Sequence, residues 1–134
     1  MGSIKYFLNN DIEIHIDALD MKEIFHLLTL SFRKIIAGDY SNEASEKKKI
    51  FLESQSEELL VVDYMNELIY LFDVYAFMPV SGRFDVYNNR VDALLDGFII
   101  KKEYVIRLLK AATFHNLVMK KEDKRIHLEM IIDV

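Results

Sequence analysis

The sequence has no cysteine, which excludes disulfides, thiolate zinc sites, CxxC redox motifs and cysteine nucleophiles together. Proline occurs once, at Pro79, and glycine only four times, so few breaks are forced and long elements should fill most of the chain. Long apolar runs are missing too. Stretches such as Leu59–Val62 and Ala93–Leu95 fall far short of the roughly 18 residues of a membrane span, and no apolar signal segment opens the chain. There is no basic excess: 17 Lys and Arg against 22 Asp and Glu give a net charge of −5, which argues against sequence-independent attraction to a phosphate backbone. Nothing argues for secretion, so the expectation is a soluble, cytoplasmic protein without a membrane partner. Walker, GxGxxG, GxSxG and HExxH motifs are all absent, which leaves hydrolase and nucleotide-binding readings without positive support.

What is present is apolar material. It makes up 51% of 134 residues, enough for one domain of this size to bury roughly two-thirds of its unfolded surface without staples. A single domain over 1–134 is expected, with no internal repeat. Met1-Gly2-Ser3 has the look of a cloning remnant and is given no function.

Periodicity then orders the chain. Residues 4–17 predict two short extended pieces, the second alternating Ile12, Ile14 and Ile16 against Asp11, Glu13, His15 and Asp17. Asp20 with Glu23 forms a capping-box pair for a helix carrying Met21, Ile24, Phe25, Leu28, Phe32, Ile35 and Ile36, and Gly38 stops it. Residues 39–49 are polar and aperiodic, and predict a mobile connector before a short strand at Ile50-Phe51-Leu52. Ser54 with Glu57 signals a second helix, strongly apolar and about five turns long, ending before Pro79. Beyond residue 83 the period becomes two: a hairpin turning at Asn88-Asn89, then strands around 105–119 and 125–133, the last burying Ile126, Leu128, Met130 and Ile132. The fold class is α+β, two helices packed against a largely antiparallel sheet as a two-layer sandwich.

Few residues stand out chemically. Asp11 and Asp133 end alternating strands on polar faces, and for surface carboxylates simple solvation is the ordinary role. His15 and His127 alternate with apolar residues, His26 lies inside the first helix, and no two histidines make a ligand pair by local spacing; a histidine zinc site is therefore not expected. Lys110, between Leu108-Leu109 and Ala111-Ala112, must reach solvent along its stem or meet a carboxylate. The 120–125 charge cluster reads as a solvated turn. Tyr64, Tyr70, Phe72 and Tyr75 on the second helix read as core.

Three blocks taken together resemble the archease family, small activators of the RNA ligase that joins tRNA halves. The first, Leu8 to Ile14 followed by Asp20-Met21-Lys22-Glu23-Ile24-Phe25, is similar to the family's His-Thr-Ala-Asp strand and helix start. Leu8, Asn9 and Asn10 stand where the family has His-Thr-Ala, so Asp11 is what the two share there. Met65-Asn66-Glu67-Leu68-Ile69-Tyr70-Leu71-Phe72-Asp73 resembles the family's second block almost without change. Lys110-Ala111-Ala112-Thr113-Phe114-His115 is similar to the third, and the chain closes Ile131-Ile132-Asp133-Val134 as the family does.

The resemblance implies a divalent-cation site made by Asp11, Asp133 and the terminal carboxylate of Val134, with Lys110, Glu67 and His115 as candidates near it. Three hard oxygen donors suit calcium or magnesium and disfavour zinc or copper. It further implies a non-enzymatic accessory protein whose partner is an RNA-splicing ligase, with tRNA or other RNA ends contacted indirectly. The replaced first block motivates an alternative: a divergent member acting as a binding or stress-associated module without ligase activation.

Overall fold

The structure, a computed structural model, describes residues 2–8 and 10–134; Met1 of the expected cloning remnant and Asn9 of the first block lie outside the described residues. In chain order the elements are β1 (Ser3–Leu8), β2 (Ile12–Ala18), α1 (Met21–Ala37), β3 (Glu46–Glu53), α2 (Glu57–Tyr75), β4 (Phe77–Tyr87), β5 (Arg90–Ile99), a 3-10 turn at Lys102–Tyr104, β6 (Ala111–Glu122) and β7 (Arg125–Asp133). The expected α+β sandwich is present, with its strands divided between two antiparallel sheets. One runs β1-β2-β7-β6 and the other β3-β5-β4.

Alternation decides the larger sheet. Ile12, Ile14 and Ile16 of β2 face the core beside Ile132, Met130 and Leu128 of β7, their register partners, and all six are buried. α1 packs against β2 and β4, and α2 against β6, so the helix pair joins the two sheets. Phe25 of α1, Tyr64 of α2 and Phe84 of β4 meet between them, with ring centroids 5.1 to 6.2 Å apart. The Thr29 hydroxyl donates to the Phe25 carbonyl, which leaves its oxygen to accept from the buried Tyr64 hydroxyl at 2.6 Å. Burial pushes the Tyr64 phenol well above its ordinary range.

The α1 ends are satisfied as the sequence predicts at the start, and at the far end by the expected Gly38 stop together with the tertiary structure. Asp20 accepts from the Glu23 N–H, and the Glu23 carboxylate reaches back to the Leu19 N–H. At the far end the carbonyls of Lys34 and Ala37 receive the N–H groups of Gly38 and Tyr40, while those of Ile35 and Ile36 receive the Arg107 guanidinium and the Ile106 N–H. That service is why the strand expected around 105–119 begins only at Ala111: Ile106 and Arg107 give their hydrogen bonds to α1, not to a ladder.

Three other expectations are corrected. The connector at 39–49 gives up 46–49 to β3, an edge strand whose lysines disguise it; Lys47 pairs with Asp96 at 2.6 Å, and Lys48 lies 4.0 Å over the Tyr75 ring. The α2 cap is Ser56, which accepts from the Leu59 N–H, because Ser54 sits too early and donates instead to Asp63. α2 ends before Pro79, as expected, but the proline is not what stops it. A left-handed Ala76 (φ 54°) does, and Pro79 sits inside β4 at a register shift, where a proline needs no ladder donor. Tyr70 and Tyr75, expected in the core, are about half exposed at 50% and 48%. α2 is apolar around most of its circumference, so spacing alone does not select the covered side.

Candidate functional site

Two polar groupings are built on the β2–β7 pair, one at its end and one on its outward face. At the end, Ile12 pairs directly with Ile132, so Asp11 and Asp133 each lie one residue past a matched pair, on neighbouring strands and both exposed. Val134 follows. β6 completes this corner: Ala111 pairs with Asp133, and the Lys110 N–H donates to the Asp133 carbonyl at 2.8 Å. The Lys110 side chain is exposed, so its stem leaves the apolar neighbours for solvent.

α2 is tied to this corner by a contact that the sequence reading did not single out. The Asn66 amide accepts from the Ala112 N–H at 2.7 Å and donates to the Ala112 carbonyl at 3.2 Å, imitating a neighbouring strand. Glu67, half-buried, is the next residue on the helix. An asparagine in the middle of an apolar helix, where the residue type has poor propensity, is the signal that could have flagged it.

His115 is placed differently. Between Thr113 and Val118, β6 advances five residues while β7 advances two, and the extra backbone forms a bulge containing Asn116 at φ 58°. His115 lies on that bulge, exposed, with its N–H on the Thr113 hydroxyl. The structure thus gathers Asp11, Asp133, Val134 and Lys110 at one sheet end, sets Glu67 beside the Asn66 clamp, and leaves His115 further along β6.

The outward face brings together two histidines that local spacing does not pair. His15 is opposite Glu129, and Asp17 is opposite His127. His127 Nδ1 lies 2.9 Å from Asp17 and its Nε2 2.7 Å from Glu129; His15 Nε2 lies 2.8 Å from Glu13 and its Nδ1 3.9 Å from the same Glu129 oxygen. The hydrogen bond to Glu129, followed by that to Asp17, raises the His127 pKa, and the same bond holds the Glu129 carboxyl below its usual range. Local spacing missed this because the ligand-to-ligand vector runs across strands, and only the register reveals it.

With this geometry in view, comparisons with known proteins agree with one another. The model of the Archease protein family (MTH1598/TM1083) matches residues 8–134. The archease of Methanosarcina barkeri is 24% identical over 131 residues, covering 92% of this chain and 90% of the relative. That of Methanothermobacter thermautotrophicus is 24% identical over 125 residues, covering 86% of each. Among solved structures, protein 1598 of Methanobacterium thermoautotrophicum shares the fold at a TM-score of 0.79 and 22% identity, over 98% of both chains. A Thermotoga maritima archease, described as a possible chaperone, does so at 0.71 and 18% identity, over 95% of this chain and 93% of its own.

Proposed function

The chain belongs to the archease family, and from that premise we propose that it is a cation-binding accessory protein, not itself an enzyme, that activates an RNA-splicing ligase in the cytoplasm. The cation sits at the sheet end, on Asp11, Asp133 and the main-chain carboxylate of Val134. One observation carries this reading: the Ile12–Ile132 pairing brings the next residue of each strand, both aspartates, to one corner from nearly opposite ends of the chain. Among the described residues neither aspartate side chain has a recorded hydrogen-bond or ion-pair partner, and a cation would offset the repulsion of like charges at one corner. The donor set fits the group, because three exposed oxygens with room for water suit calcium or magnesium in weak, exchangeable binding. When bound, the cation supplies a positive charge with water-filled positions that an anionic group can take.

The chain's own residues do the rest. Lys110 fixes the β6 corner through its N–H and offers its ammonium to solvent. Asn66 holds α2 against β6, and with it Glu67. The second reading, a family member acting as a binding module without ligase activation, is favoured by Leu8, an exposed aliphatic residue where the family has histidine.

A ligation assay with purified ligase, guanosine triphosphate and cleaved tRNA, with and without the protein, separates the two. Stimulation is expected, together with a calcium- or magnesium-dependent rise in melting temperature that Asp133→Asn or a C-terminal extension removes without changing melting in chelator. Full stimulation and an intact melting shift in the extended protein would withdraw Val134 as a ligand. No stimulation with an intact shift would leave the second reading standing.

A further inference from the structure

We propose that His15, His127 and Glu129 form a binding site for a zinc-class divalent cation on the outward face of the four-stranded sheet, separate from the carboxylates at its end. The donor atoms of the three side chains all lie within 4.8 Å of one another. His127 Nε2 and His15 Nδ1 both point at one oxygen, Glu129 Oε2, at 2.7 and 3.9 Å. An ion with bonds of about 2.0 Å in tetrahedral geometry needs donors roughly 3.3 Å apart, between those two distances and within small rotations of surface side chains.

The other ring nitrogens are already engaged in the way metal-binding histidines require. Asp17 faces His127 Nδ1 at 2.9 Å and Glu13 faces His15 Nε2 at 2.8 Å. Carboxylates only accept, so each fixes its ring with the proton on that side and turns the opposite lone pair towards Glu129. A neutral imidazole cannot face carboxylates on both sides. Either a second proton or a cation must occupy the gap between His127 and Glu129. Two imidazole nitrogens and one oxygen select Zn2+, Co2+, Ni2+ or Cu2+ over calcium or magnesium, and solvent remains for the open position. Phe7, edge-on to His15 at 5.2 Å, covers one flank, and Lys5 and Lys120, the register partners of His15 and His127, border the group. The ion would cross-link β2 to β7 in the folded state only.

The test is a Co2+ titration of chelator-stripped protein followed by visible absorbance, with Zn2+ added afterwards as competitor. One bound Co2+ with a nitrogen-ligated spectrum, displaced by Zn2+, is expected. His15→Gln and His127→Gln should each weaken binding by about tenfold or more, and the double variant should abolish it. Asp133→Asn, and His26→Gln with His115→Gln, should leave it unchanged. Because the substituted side chains lie on the outward face, melting in chelator should confirm that every variant is folded; if His127→Gln is not, His15→Gln alone decides. The proposal is overturned if the double variant binds Co2+ like the parent, if Asp133→Asn removes the spectrum, or if the parent shows none at several equivalents of cobalt. Retained Co2+ binding with no calcium response would strike the sheet-end reading and leave this one intact.

Discussion

The end and the face of the β2–β7 pair are built by one register yet offer different chemistry. Beyond Ile12 and Ile132 the strands present only oxygens, held from outside by the Lys110 N–H and the Asn66 clamp. A few residues along, the same two strands present imidazoles and carboxylates that hold one another. Strand pairing supplies proximity in both places. For the two proposed sites donor hardness then separates the ions, and the direction of the supporting bonds separates what each would depend on: the end on α2 and β6, the face on little besides its own hydrogen bonds.

The largest effect should come from attacking what the two regions share. Ile14 is fully buried opposite Met130 between them, so Ile14→Ala should cost about 2 to 5 kcal/mol in denaturant unfolding through lost burial and an unfilled cavity. The calcium-dependent and zinc-dependent melting shifts should then weaken together. A loss of one with full retention of the other would show that they do not rest on a common register.

Asn66→Ala should be smaller and selective. It leaves the N–H and carbonyl of buried Ala112 without their side-chain partner, at a cost of about 1 to 3 kcal/mol. Loosening α2 and β6 at the sheet end should reduce the response to calcium while the cobalt spectrum stays as in the parent. An unchanged calcium response would remove the clamp from the site's support.

The smallest effect is the pH dependence of the ion-free face, measured in chelator. His127 faces Asp17, Glu129 and Lys120, with the His15 ring 6.0 Å away. Its pKa is raised in the folded state. Its contribution should therefore be full below the ordinary imidazole pKa of about 6.5 and fade as pH rises through the higher folded value. Glu129, held low by His127, acts the other way: its share is present above the ordinary carboxylate range and fades as pH falls through the lowered value. For groups this exposed the total should be on the order of 0.5 kcal/mol. His127→Gln should flatten the upper arm. An identical pH curve in that variant would mean that the bonds to Asp17 and Glu129 carry no net stability.

Much of this architecture is written locally. The period-two pattern of Ile12, Ile14 and Ile16 requires a half-buried strand, and the Asp20–Glu23 pair requires a helix start, because each depends on neighbours a few residues away. The resemblance of the three blocks and of the closing residues gave Asp11, Asp133, Lys110 and Glu67 as candidates before any fold was known. Other features are decided by distant parts of the chain. Lys47 and Lys48 look like loop until Asp96 and Tyr75 receive them. Residues 105–110 look like strand until the open carbonyls of α1 claim Ile106 and Arg107. The histidine cluster shows the same limit most plainly. A strand's sequence determines which side chains face outward, but which outward residues of another strand they meet depends on pairing and register, and those are settled only when the two buried faces are packed together.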